Sequence, residues 1–227
     1  MKKAIIFETD FSDNFQPTWW ERIIQQLEVN RKQVIINLCP NKINRVLDLA
    51  CGNGELLKML AKRSKKIIGF DISKKRLSNA KVSLKKHLKK LTLKQIDIDE
   101  KLPLTAKSVE LVICEASLQY FARPQSVLFE ISRILKPKGE LILQVPNVSW
   151  GLNRIRVLFG KLPKTSSFPG IWDGGALHYF THAKLKKALE TAGFTIEVTS
   201  CSGILPQLRL FYPELLAADI IIKAKKK

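Results

Sequence analysis

Short apolar runs alternate with longer amphipathic stretches through most of this chain. The pattern predicts strand 45–50, helix 54–63, strand 66–71, helix 74–90, strands 92–97 and 109–114, helix 124–135 and strand 140–146. Helix 74–90 rests on Leu77, Ala80, Leu84 and Leu88, which recur at three- or four-residue steps toward Leu91 and form one apolar stripe. Lys136-Pro137-Lys138-Gly139 reads as a helix stop followed by a turn. Ahead of the sheet, Thr18-Trp19-Trp20-Glu21 fits a capping box, and one or two helices are expected over 18–38. Toward the other end, Thr181 is placed to cap helix 182–192 and Gly193 to stop it, before strands 194–200 and 215–224. Strands that alternate with helices call for an α/β fold, with a mostly parallel sheet covered on both faces.

The pattern loosens between Asn147 and Phe180, where glycines and prolines are interleaved with Trp150, Phe159, Phe168, Trp172 and Tyr179. A stretch of about 30 residues without periodicity is unusual in a compact domain unless it serves function. Aromatics suit a substrate-facing lid better than a plain surface loop, so 147–181 is expected to be a lid.

Composition narrows the setting. With 227 residues, 45% of them hydrophobic, the chain suits one α/β domain with an added cap. No apolar run reaches the roughly 18 residues of a membrane span. The start, Met1-Lys2-Lys3-Ala4-Ile5-Ile6-Phe7-Glu8, is too short in apolar residues for a signal peptide. Cys39, Cys51, Cys114 and Cys201 are scattered without metal-ligand spacing and read as buried hydrophobes in a reducing, cytoplasmic setting. The net charge of +19 is uneven: Lys58 to Lys94 holds 14 Lys/Arg against the single acid Asp71. Such a surplus suits an anionic partner, but the lysines alternate with an apolar stripe and lack interleaved aromatics. A solvated helix face is therefore preferred to a nucleic-acid surface.

Candidate chemistry concentrates in Val46-Leu47-Asp48-Leu49-Ala50-Cys51-Gly52-Asn53-Gly54, a strand that ends in a glycine turn and opens a helix. A dinucleotide fingerprint would place a third glycine where Leu57 stands. Asp48 would repel a pyrophosphate, whereas it suits a ligand carrying an ammonium or sulfonium group. Asp71 ends the second run, 17 positions after Gly54 and near the interval at which a carboxylate reaches ribose hydroxyls. Asp97 and Asp99 end the third run and Glu115 the fourth, so the acids gather at the edge where open α/β sheets bind ligands.

With these residues in place, the chain resembles the class I S-adenosylmethionine-dependent methyltransferases over roughly residues 41–227. The likeness is carried by Val46 to Gly54, Gly69-Phe70-Asp71-Ile72, Asp97-Ile98-Asp99-Glu100 with Leu102-Pro103, Arg133 to Glu140, His178-Tyr179-Phe180-Thr181 and Ala192-Gly193-Phe194. Ala116-Ser117-Leu118-Gln119, Pro146-Asn147 and the stretch from Leu152 to Trp172 look like the MetW branch, associated with methionine biosynthesis. The resemblance implies a Rossmann-like seven-strand sheet with an antiparallel last strand; the helices expected before it form an N-terminal helical cap over 1–40, outside the likeness. It implies that Asp48, Ala50, Gly52 and Gly54 hold the methionine end of S-adenosyl-L-methionine, with Ala50 in place of a family glycine. Asp71 would take the ribose hydroxyls, Ile72 the adenine face, and Asp97 with Ile98 the adenine amino group. Cys114 and Glu115 would line the methionine side and face the acceptor.

An activated methyl donor requires chiefly that a nucleophile be held in line and water excluded. Glu115, His178 and Tyr179 are the candidates for a general base, should the acceptor need one. No nucleophile loop, nucleobase tetrad or metal cluster is recognisable, which favours a small-molecule acceptor, including a lipid- or sugar-linked one. Two alternatives stand behind this: a MetW-like accessory protein that binds the cofactor for a partner enzyme and, more weakly, an RNA methyltransferase.

Overall fold

The computed structural model describes residues 29–165, 176–203 and 205–227. Seven strands form one sheet: β1 (Ile43–Leu49), β2 (Ser64–Asp71), β3 (Leu91–Gln95), β4 (Val109–Glu115), β5 (Leu135–Pro146), β6 (Phe194–Ser200) and β7 (Asp219–Lys226). Their order is β3-β2-β1-β4-β5-β7-β6. The first five run parallel, and β7 inserts antiparallel between β5 and β6. This is the expected mostly parallel α/β sheet with its antiparallel strand.

Period-two alternation divides the side chains of the inner strands between two buried layers. Leu47, Leu49, Phe70, Val112, Leu143 and Ile222 join one core; it is covered by α4 (Pro124–Ile134) and α6 (His182–Thr191). Val46, Ile67, Leu111, Ile113, Ile142 and Ile221 join the other, beneath α1 (Arg31–Leu38), α2 (Glu55–Leu60) and α3 (Lys74–Ser83). Local signals start the helices. The Asn30 and Ser73 side chains accept from the N–H groups of Lys32 and Arg76, Thr181 accepts from Lys184, and Pro124 opens α4.

Four differences from the sequence expectation have physical reasons. Helix 74–90 is α3 followed by a 3-10 segment, Lys85–Lys90. Leu84 is fully buried but Leu88 is 47% exposed, so the apolar stripe stops bearing on the sheet after Leu84. The Lys136–Gly139 turn lies within β5, as an irregularity between the pairs Val109–Leu135 and Leu111–Glu140, with Lys138 at φ 61°. The region before β7 holds two short helices, α7 (Pro206–Arg209) and α8 (Pro213–Leu216), and the strand starts at Asp219 instead of 215. Finally, the aperiodic 147–180 stretch contains α5 (Gly151–Leu158). Residues 18–28, with the capping box, and 166–175 lie outside the described residues.

Candidate active site

The strand order reverses between β1 and β4, which makes their carboxyl ends the topological switch point where such sheets bind ligands. Asp48 pairs in register with Ile113, and Leu49 with Cys114, so the two predicted segments meet there. The chain after β1 turns through three left-handed residues, Ala50 at φ 57°, Gly52 at 51° and Gly54 at 77°. Gly54 is the N-cap of α2. A Cβ on it would lie 3.0 Å from that of Ala80, so both its conformation and its space call for glycine. Close helix–strand packing, which a third glycine provides in dinucleotide folds, is supplied from the other side. Gly69 on β2 leaves room for Leu57, whose Cδ1 would sit 2.8 Å from an added Cβ.

Two acids share this mouth and are held differently. Asp71 is 4% exposed; its Oδ2 accepts from Gly52 N–H at 2.8 Å and its Oδ1 from Ser73 N–H at 2.9 Å. Each oxygen keeps a lone pair for a further donor. Asp48 is 2% exposed, and its Oδ1 has no partner. Burial, followed by the charges of Glu115 and Asp71, pushes its carboxyl well above the ordinary range, against a smaller opposing pull from Lys32. A cationic group beside Asp48 would satisfy that oxygen and restore its charge, so the residues present fit the amino-acid end of S-adenosylmethionine.

Beyond β4, the chain is fixed by a buried polar network. Ala116, at φ 49°, donates its N–H to the backbone oxygen of Gln144 at 3.0 Å and to its Oε1 at 2.9 Å. Gln144 Nε2 reaches Asp219, which in turn accepts from Ser202. Glu115 is paired with Arg31 of α1, Nε to Oε1 at 2.6 Å, and neighbouring Lys32 is paired with Glu55. The Cys114 thiol is fully buried, contacts Ser117 Oγ at 3.1 Å and is pushed up to about 12 by burial. Burial also pushes the Cys51 thiol up, so neither is a ready thiolate. All four cysteines are free and buried.

The remaining predicted residues stand on the segments that follow β2, β3 and the β4 loop. Ile72 is half-buried just past β2, with its carbonyl accepting from Gln95. Asp97 stands two residues beyond the end of β3 and accepts from Asp99 N–H, while Ile98 is buried in the core. Asp99 accepts from the N–H groups of Ala122 and Arg123 at the start of α4. His178 lies with Nε2 3.4 Å from the Ala122 carbonyl, and Tyr179 is 40% exposed. Their segment is tied to the β4 loop by Leu177 and His178 N–H groups, both donating to the Gln119 carbonyl. Sequence reasoning missed Arg31 and Gln144, and it singled out Gln119, whose Oε1 is orphaned, only as part of a family likeness. A lone Arg on a short helix and two glutamines carry no spacing signal. A depression of about 470 Å³ lies elsewhere, at the β6 edge beside His182, Lys186 and Phe194.

A family profile described as a methyltransferase domain matches residues 40–193. The chain belongs to the class I S-adenosylmethionine-dependent methyltransferases. Curated relatives of this methyltransferase domain include a ubiquinone biosynthesis O-methyltransferase from Dechloromonas aromatica, 32% identical over 45% of this chain and 44% of that protein. A malonyl-[acyl-carrier protein] O-methyltransferase from Brevibacillus brevis is 28% identical over 70% of this chain and 58% of that protein. The chain spans about half the length of the curated relatives it matches first. Among solved structures, magnesium protoporphyrin IX methyltransferase from Synechocystis with bound SAH superposes with a TM-score of 0.66 over 100% of this methyltransferase domain and 95% of that chain, at 19% identity. An S-adenosylmethionine dependent methyltransferase from Mesorhizobium loti superposes with a TM-score of 0.63 over 85% and 96%, at 17% identity. At such identity these two likenesses speak to the fold.

Proposed function

We propose that the protein transfers a methyl group from S-adenosylmethionine to an oxygen of a small-molecule acceptor, including one linked to a lipid or a carrier. The observation that carries this reading is Asp48: a buried carboxylate with an unpartnered oxygen at the switch point of the sheet, raised until a cation arrives. When bound, S-adenosylmethionine supplies a methyl already activated on a positively charged sulfur.

Asp48 then faces the ammonium, and the backbone of the Ala50–Gly54 turn approaches the methionine chain without side-chain obstruction. Asp71, preset by its two backbone N–H donors, takes the ribose hydroxyls. Ile72 packs on the adenine, and Asp97 with Ile98 borders its amino edge. Glu115, with Cys114 behind it, forms the acceptor side. Its pairing with Arg31 neutralises one of three neighbouring acids and ties α1 to the acceptor side. The described flanks of 147–181 complete that side through Gln119, with His178 and Tyr179 on the lid. Holding the acceptor oxygen within roughly 3–3.5 Å of the methyl, in line with the carbon–sulfur bond, is the main catalytic task. The O-methyltransferase relatives support an oxygen acceptor.

The first test is calorimetry of S-adenosylmethionine binding to the wild type and to Asp71→Ala. Loss of a buried acceptor for two hydroxyls weakens binding tenfold or more, on the order of 1–3 kcal/mol; unchanged affinity would remove the ribose assignment. The second is S-adenosylhomocysteine release against a panel of phenolic, carboxylate and carrier-linked acceptors. Persistent silence despite tight cofactor binding would favour an accessory role instead.

A further inference from the structure

We propose that α5 and the turn after it dock the protein on an anionic lipid surface. The helix is turned inside out relative to an ordinary surface helix. Its one buried residue is Asn153, whose Oδ1 accepts from Lys164 N–H and whose Nδ2 reaches the Asn147 carbonyl. Leu152, Ile155, Leu158 and Phe159 are instead exposed by 54%, 52%, 79% and 73%. At about 100° per residue these four fall within an arc of about 120°, with Arg154 on one side and Arg156 on the other. Each of these arginines anchors its Nε on a backbone carbonyl, of Ser149 and of Leu162.

A second apolar projection lies at the same end of the sheet. Phe211 is 92% and Leu208 64% exposed, in a segment that meets α5 through α8. Several large apolar side chains in one exposed area mark a surface that is covered in use.

Charge selects the occupant. Residues 151–165 contain Arg154, Arg156, Lys161 and Lys164 and no acid, a net +4. Against a second copy, +4 would face +4 and repel. An apolar ridge bounded by cations is the layout of helices that lie in a membrane interface, their apolar side chains among the acyl chains and their cations among anionic headgroups. The docking face continues from the carboxyl end of β5, beside Gln144 and the β4 loop, so the acceptor mouth would open toward the lipid. That orientation extends the methyltransferase reading; the docking itself can be measured without turnover.

The test is co-sedimentation of the full chain with vesicles of phosphatidylcholine alone and of phosphatidylcholine mixed with phosphatidylglycerol. Binding is expected to the mixed vesicles, to weaken with added salt, and to fall about tenfold or more in the Ile155→Ser/Phe159→Ser double variant. Melting temperature and S-adenosylmethionine affinity of that variant should match the wild type. Should its melting temperature drop, Phe211→Ser and Lys161→Gln/Lys164→Gln take its place, each with a smaller loss of partitioning expected. Absence of binding to mixed vesicles, equal binding to neutral ones, or unchanged binding by the folded variants would overturn the proposal. So would a wild-type dimer that ignores vesicles and becomes monomeric in the double variant. Protein that binds vesicles but not S-adenosylmethionine would support docking while overturning the cofactor reading.

Discussion

At the end of β1, Asp48 keeps an oxygen with no partner, whereas at the end of β5 Asn147 has every polar atom engaged. Asn147 Nδ2 faces the carbonyls of Pro213, Glu214 and Ala217, its Oδ1 accepts from Ser149 N–H and Oγ, and its N–H donates to Ala218. Both residues are almost completely buried, along the same edge of the sheet. A saturated polar group holds elements together and stabilises the fold. An unsaturated one costs stability in the free protein and is offset only by what binds it. On the function proposed above, the β1–β2 side is the receptor, and the β5–β7 side is the frame beside it.

Replacing Asn147 should break the frame. Asn147→Ala leaves the Ala217 carbonyl and the Ser149 N–H without their partner and removes further hydrogen bonds to Pro213, Glu214 and Ser149 Oγ; it is expected to cost about 3 kcal/mol in denaturant unfolding. A cost under about 1 kcal/mol would mean that water substitutes for the side chain. Gly69→Ala attacks the receptor side through packing. Its Cβ would come within 2.7 Å of Cys51 Sγ and 2.8 Å of both Leu57 and Leu93; about 1–3 kcal/mol of destabilisation follows.

Asp48→Asn sharpens the contrast by reversing the sign. The folded pKa of Asp48 lies above the unfolded one, so the penalty is absent in acid and grows as pH rises past the ordinary aspartate range. At neutral pH the variant should melt a few degrees higher than the wild type in the absence of ligand, yet bind S-adenosylmethionine more weakly. In the wild type, arrival of the cation should release protons, visible as a dependence of the binding heat on buffer ionisation at mildly acidic pH. The variant should lose that dependence. The smallest effect is expected at Ala50, which holds φ 57° with a side chain. Ala50→Gly relieves left-handed strain but adds unfolded-state entropy, leaving a net gain of about 0.5 kcal/mol in chemical denaturation.

The same contrast explains what could be read from the chain. Strands with both faces buried appear as plain apolar runs, and an acid inside such a run is conspicuous, so Asp48 and Asp71 stood out. Helix α5 did not, although Leu152, Ile155 and Phe159 recur at three- or four-residue steps, because it spans barely two turns inside a stretch punctuated by glycines and prolines. Nor does the spacing say which way it faces: Asn153 is its one buried residue, and its apolar side is exposed. The break after Leu84 was equally hidden: the leucine spacing continues through Leu88 although the sheet no longer supports it. Arg31 lay beyond reach because a charged residue on a short helix looks solvated until the fold brings Glu115, 84 positions away, to meet it.

Strand β7 sits between β5 and β6 and pairs with both. Each of those strands therefore reaches the ribosome exit before the neighbour that will cover its edge. Until Asp219–Lys226 has followed, the nascent chain carries two bare hydrogen-bonding edges, open to pairing with other chains. Arrest or cleavage between β6 and β7 would thus yield an aggregation-prone fragment instead of a sheet that merely lacks one strand.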